Sequence, residues 1–152
     1  MPQTQDISIR YVREEDYPEV LELTKKLVKV ILPDEDFEED KIRRTFNSAL
    51  ENDKFTGIIL TVDGQVKGFI FGFITEQYFH STLIAYCMAI YVTEDSRKYG
   101  LEMIKSFESW GRYRKAKTLC ISSFTNLSPK NISTLYKRLG YEEKEIIHWK
   151  EV

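Results

Sequence analysis

From Leu83 to Val92 the chain is almost entirely apolar, and it runs directly into Thr93-Glu94-Asp95-Ser96-Arg97-Lys98-Tyr99-Gly100 and then an amphipathic stretch. An unbroken apolar strand is expected where a sheet is covered on both faces, which commits the chain to layers of helix and sheet. Strand, basic glycine turn and helix, in that order, make an anion site. The first backbone N–H groups of a helix lack intrahelical partners and lie at the positive end of its dipole. Arg97 and Lys98 add two full positive charges there. At about 100° per residue, Met103, Ile104, Phe107, Trp110 and Gly111 share one side of the helix with Gly100, and Lys105, Ser109 and Arg112 take the other. The loop also has a plain structural reading, in which Arg97 and Lys98 are solvated charges and Gly100 is a packing glycine. Glu102 is then the acidic first-turn residue that a helix start favours by up to about 1 kcal/mol.

Upstream, Ile7 to Val12 alternates as a strand should. Asp16 precedes Pro18 as a cap before a first-turn proline, and Val20, Leu21, Thr24, Leu27, Val28 and Ile31 keep one helical face apolar. Six acidic residues, Asp34, Glu35, Asp36, Glu38, Glu39 and Asp40, lead into a second helix over Asp40 to Asn52, with Ile42, Thr45, Phe46, Ala49 and Leu50 inward. Phe55 to Val62 and Val66 to Thr75 flank Asp63-Gly64, a hairpin signal. Gly68 and Gly72 mark a close backbone approach or a bulge. A loop, Thr75 to Ser81, carries Glu76, Tyr78, Phe79 and His80 into the apolar strand. Beyond the central helix come a strand over Lys117 to Phe124 and a helix opened by Ser128-Pro129. That helix places Ile132, Leu135, Tyr136 and Leu139 at i, i+3, i+4, i+7 and is closed by Gly140 in a left-handed cap. A last strand is expected at Glu145 to Lys150. The order β-α-α-β-β-β-α-β-α-β, undivided by repeat or linker, implies a single α/β (α+β) domain over 1–152, with a mixed, mostly antiparallel sheet and helices on both faces.

Two segments resemble one family. Arg97-Lys98-Tyr99-Gly100-Leu101-Glu102 is similar to the acyl-CoA pyrophosphate loop of the GNAT N-acetyltransferase superfamily, Gln/Arg-x-x-Gly-x-Gly/Ala, with Glu102 where the family has Gly or Ala. Leu135-Tyr136-Lys137-Arg138-Leu139-Gly140-Tyr141 resembles that family's Leu-Tyr-x-Lys-x-Gly-Phe/Tyr segment, and the element order is also that of the family. The resemblance implies acetyl-CoA as cofactor and direct transfer of its acetyl group to an amine of a small molecule or a protein. It casts Tyr136 as the general acid that serves the departing thiolate. Backbone groups near Met88, Ile90 and Val92 would pair with pantetheine, and the 97–102 loop would take the pyrophosphate. The family's asparagine, seven residues before the tyrosine, is replaced by Pro129, which leaves Asn126 and Asn131 as neighbouring candidates. Glu76 and His80 are the candidates for a base. The acidic run at 34–40 would favour a cationic acceptor, and a homodimer is left open. The competing reading is a GNAT-shaped protein that has lost turnover and acts as a protein-binding module, for which Glu102 and the displaced asparagine speak.

Composition narrows the field further. With 42% hydrophobic residues, 30% charged and a net charge of −2, the chain has no bulk attraction to nucleic acid or membrane, and no basic stripe interleaved with aromatics. Cys87 and Cys120 lie in apolar runs, where reduced buried thiols are the default. His80 and His148 lack ligand spacing, so no metal site is expected. The polar start, Met1 to Asp6, is no secretory signal, and no apolar run is long enough to cross a bilayer. A cytoplasmic protein is expected.

Overall fold

A computed structural model describes residues 4–123 and 129–152, the side chains of 129–131 excepted. Two compact units result, Met1–Ser122 and Ser123–Val152.

The first unit holds a five-stranded sheet in the order β1-β2-β3-β4-β5: β1 Ile7–Tyr11, β2 Phe55–Val62, β3 Gln65–Glu76, β4 Leu83–Val92 and β5 Thr118–Ile121. All neighbours are antiparallel except β4 and β5, which run parallel. The β2–β3 turn is the one read from Asp63-Gly64. Both residues have positive φ, 51° and 80°, as a tight hairpin of this hand requires. Asp63 is tied to Asp6 by two bonds, one through each backbone N–H.

Helices α1 (Tyr17–Ile31), α2 (Glu39–Glu51) and α3 (Gly100–Tyr113) cover the sheet. The period-2 alternation of the strands sends Ile58, Leu60, Val62, Ile70, Ala85 and Cys87 to one face, where they cluster with Met103, Phe107 and Trp110 of α3. The alternate residues Ile59, Phe69 and Phe71 are buried on the face of α1 and α2, where the Phe46 ring of α2 lies 6.2 Å from that of Phe71. Each such side chain contributes about 1.5–3 kcal/mol by leaving water. All five α3 residues expected to face inward are buried. Glu108 is buried with them, stretched toward Arg112 at 3.8 Å.

Asp16 differs from its expected role. Its carboxylate does not cap α1 but turns back, accepting two bonds from the Arg10 guanidinium (2.8 and 2.9 Å) and one from the Arg13 N–H (2.7 Å). Burial pushes its pKa up, but the Arg10 bond, the Arg13 N–H and the two arginine charges outweigh that and hold it below the usual carboxylate value. Two oxygens facing a guanidinium fork gain more than one facing a helix end.

In the second unit, α4 spans Pro129–Arg138. Gly140 has φ +92°; its N–H bonds to the Lys137 carbonyl and the Tyr141 N–H to that of Tyr136, both at 3.0 Å. That pair of bonds is the left-handed glycine cap expected from the sequence. The strand expected at Glu145 to Lys150 is not formed: residues 141–152 have no regular structure. Adjacent Ile146 and Ile147 cannot share a strand face, and both are exposed, as is Trp149. The charges around them are solvated, with Glu142 and Lys144 paired at 2.8 Å. Among the described residues, no helix is long and apolar enough to cross a membrane.

Candidate functional site

Strand β4 is not uniform along its length. On the β3 side its register steps from Phe71↔Ala89 to Gly72↔Cys87, so Met88 is an extra residue, a β-bulge. The step changes which residues face outward. Below the bulge, the Gln77 N–H bonds to the Thr82 carbonyl. Bonded and non-bonded pairs alternate in an antiparallel ladder, so Leu83, Ala85 and Cys87 direct their backbone groups away from β3. Above the bulge, the Thr93 N–H bonds to the Lys67 carbonyl at 2.8 Å, and the outward residues are Ile90 and Val92. The side chains confirm the switch, because Ala85 and Cys87, then Ile90 and Val92, all pack toward α3.

The outward groups of Ala85 and Cys87 face β5, whose pairing runs from Ile84↔Thr118 to Cys87↔Ile121 and stops. Among the described residues, no strand lies along the outer edge of Met88–Val92. That edge presents main-chain donors and acceptors that a ligand containing amide groups can meet, much as an added strand would. Of the three backbone positions expected here, Ile90 and Val92 are at the edge, and Met88 is the bulge that turns them there.

Val92 leads into a single 3-10 segment, Glu94–Tyr99, which continues into α3 at Gly100. Asp95 anchors it, accepting from the Thr93 hydroxyl at 2.6 Å with Lys67 Nζ at 3.5 Å. The Thr93 bond, then the Lys67 charge, hold its exposed carboxyl below the ordinary value. Arg97 and Lys98 are exposed, with the Lys98 Nζ 5.1 Å from the Tyr99 ring centre. Tyr99 donates to Gln5 Oε1 at 2.8 Å. Leu101 is half-buried and Glu102 is exposed in the first turn of α3. Gly100 is not a packing glycine: an added Cβ meets nothing within 4 Å, and φ −59° suits any residue. Its N–H is already bonded to the Arg97 carbonyl.

The remaining expected residues lie elsewhere. Glu76 ends β3 opposite Leu83 and is exposed. His80, also exposed, shares a 2.5 Å hydrogen bond with the Thr82 hydroxyl. Leu83 is five strand residues from Met88, roughly 16 Å. Cys87 is buried, and burial pushes its thiol up to about 12, so it is inert packing. In the second unit, Tyr136 is half-buried on α4 with its ring 5.9 Å from that of Tyr141. Asn126 falls outside the described residues, and the side chain of Asn131 does too.

Sequence reasoning missed an aromatic row across three strands. The Phe55, Phe73 and Tyr86 rings succeed one another at 6.0 and 5.5 Å and are all half-buried. The bulge was signalled only by Gly72, where a Cβ would lie 2.6 Å from the Phe107 ring and 2.8 Å from the Tyr86 carbonyl oxygen.

No protein-family model matches the chain, and none of the curated proteins matches it. Solved structures do. The aminoglycoside N-acetyltransferase AAC(6')-Iy in complex with CoA superposes with a TM-score of 0.78 at 20% identity, over 99% of this chain and 98% of that one. An aminoglycoside antibiotic 6'-N-acetyltransferase from Acinetobacter baumannii gives 0.73 at 15% identity, over 97% and 99%. Glucosamine-6-phosphate N-acetyltransferase from Arabidopsis thaliana gives 0.74 at 12% identity, over 96% and 98%. The likeness extends over nearly the whole of each chain, and it establishes that this protein has the GNAT N-acetyltransferase fold.

Proposed function

We propose that this protein is an acetyl-CoA-dependent N-acetyltransferase that acetylates an amine directly. The observation that carries the reading is the outer edge of β4. The ladder to β5 ends at Cys87↔Ile121, and Ile90 and Val92 direct their main-chain groups to that side, where the two amides of a pantetheine arm fit. The Arg97-Lys98-Tyr99-Gly100-Leu101-Glu102 turn would take the diphosphate. Gly100 fits that role, since neither its φ nor its packing calls for glycine, and close approach of a ligand does. Asn126 and Asn131 are the candidates for a further pantetheine contact.

Acetyl-CoA supplies an acetyl group already activated as a thioester. Tyr136 would donate a hydrogen bond to the departing sulfur. With a phenol near pKa 10 and a thiol near 8.5, full proton transfer is uphill by about 2 kcal/mol, so stabilisation of the thiolate is its role, within the 10²–10⁴-fold typical of positioned acids. An ammonium acceptor of pKa about 10.4 costs about 4.6 kcal/mol to deprotonate at pH 7. Glu76 or His80 would remove that proton through a chain of water, given their distance along β4. The acceptor is a cationic amine: Asp34, Glu35, Asp36, Glu38, Glu39 and Asp40 are all exposed. Aminoglycosides and amino sugars, the substrates in the names of the proteins of like fold, are the first acceptors to screen.

Two observations favour the rival reading, a GNAT-shaped binding module without turnover: the Gly100 N–H is spent on Arg97, and Glu102 sets a negative charge beside the proposed diphosphate. Calorimetry with acetyl-CoA decides between them. Micromolar binding supports the enzyme; no heat at millimolar acetyl-CoA overturns it.

A further inference from the structure

At the C-terminal end of α3 a second feature stands apart from the β4 edge. A cleft of about 240 Å³ lies where α3 ends, β2 begins and the connection from α2 passes, and Trp110, Tyr113, Arg114, Thr56, Glu51 and Asp53 help to line it. Thr56 is 3% exposed. Its hydroxyl and the Nε of Arg114 are both buried with no hydrogen-bond partner. Buried polar groups are nearly always paired, so two unpaired groups on residues that line one cleft point to a ligand that supplies the missing partner. One is a hydroxyl and the other a cationic N–H donor, which together suit a carboxylate.

A bare anion does not suit the rest of the site. Glu51 and Asp53 are exposed at the cleft and repel it, and a bare amine meets the Arg114 guanidinium. A molecule with a carboxylate at one end and an ammonium at the other satisfies both. Trp110 and Tyr113 add aromatic surface to the lining, and the guanidinium carbon sits 5.2 Å from the Tyr113 ring centre.

We propose that this cleft binds a free α-amino acid, its carboxylate on Thr56 Oγ1 and Arg114 Nε and its ammonium facing Glu51 and Asp53. Neither atom is exposed, so binding includes a rotamer change that brings both to the cleft. The test is nitrogen-15 NMR of the whole chain, following the Arg114 Nε–H signal during separate titrations with L-leucine, L-phenylalanine, acetate and methylamine to about 10 mM, enough to saturate a site of millimolar Kd. A saturable shift with at least one amino acid, and none with acetate or methylamine, is the expected result. Thr56→Val keeps the side chain's shape and should weaken that binding at least tenfold, about the worth of a hydrogen bond to a charged group. Arg114→Gln should abolish it, and Thr56→Val carries the test alone should that second variant not fold. No saturable shift with either amino acid, an equal shift with acetate, or unchanged affinity in Thr56→Val overturns the proposal.

Discussion

Helix α3 has a glycine at its first residue and another near its last turn, and the two stand in opposite surroundings. Beside Gly111 the space is full: an added Cβ lies 2.7 Å from Leu119 Cδ2 and 3.0 Å from the Ala85 Cβ. Beside Gly100 the space is empty to 4 Å. The same residue type therefore records a packing constraint at one end and, at the other, a position that the folded chain alone does not explain. The contrast runs along β4 as well. Its lower half is paired on both sides and lies under Gly111, whereas its upper half, among the described residues, is paired on one side and leads to Gly100.

The largest expected effect is at the closed end. Gly111→Val should destabilise by about 2–3 kcal/mol through overpacking against β4 and β5, read as a loss of roughly 2–4 °C in Tm for each kcal/mol in a chain of this size. Thermal denaturation checks it, and an unchanged Tm would mean that α3 does not sit on the sheet as described.

At the open end the effects should separate. Gly100→Ala ought to leave Tm unchanged or raise it, since alanine is favoured over glycine in a helix by roughly 0.5–1 kcal/mol. If a diphosphate approaches that backbone, the same variant should bind acetyl-CoA at least about tenfold more weakly, the result of losing roughly 1.4 kcal/mol of contact. Calorimetry and melting on one sample give both numbers. Equal affinity would reduce Gly100 to a position of no consequence and remove the contrast with Gly111.

Tyr136 sharpens the comparison from the other unit. Tyr136→Phe should lower turnover at least tenfold, the low end for a positioned acid being about 10², and leave acetyl-CoA affinity nearly unchanged. Steady-state kinetics beside calorimetry test this. Equal turnover would take the phenol out of the chemistry, whatever the β4 edge binds.

The closed end of the molecule was the more legible in sequence, for a physical reason. Packing is written in side chains, and side chains repeat with the period of their element. Met103, Ile104, Phe107, Trp110 and Gly111 could be placed inward from spacing alone, the Asp63-Gly64 hairpin follows from the φ its turn requires, and Gly140 caps α4 as read. The open end is written in main-chain geometry. Nothing in Met88-Ala89-Ile90-Tyr91-Val92 separates a residue that bonds β3 from one that faces outward. That distinction comes from one extra residue in the register, hinted at only by Gly72 on the neighbouring strand. Asp16 was misread because a carboxylate before a proline looks like a cap until the Arg10 fork of β1 is seen beside it. The strand expected at Glu145 to Lys150 has Ile146 and Ile147 side by side, a pair that points to opposite faces of a strand and specifies neither. Thr56 and Arg114 escaped altogether, because residues 58 positions apart show no pattern until the chain brings them to one cleft.

The smallest effect concerns Glu102, and it bears most directly on the open end. Its carboxylate lies in the first turn of α3 and is exposed. There it gains from the helix dipole by a few tenths to about 1 kcal/mol, yet it stands where the resemblance would place a diphosphate. These effects have opposite signs and different readouts. Glu102→Ala should therefore lower Tm slightly, by the loss of the dipole interaction, and tighten acetyl-CoA binding about two- to fivefold at low ionic strength, where like-charge repulsion is least screened. Raising the salt should shrink the gain, since added ions screen the repulsion between two exposed like charges. A fall in affinity would instead mean that the carboxylate holds the turn in a binding form, and that the open end is organised by Glu102 itself.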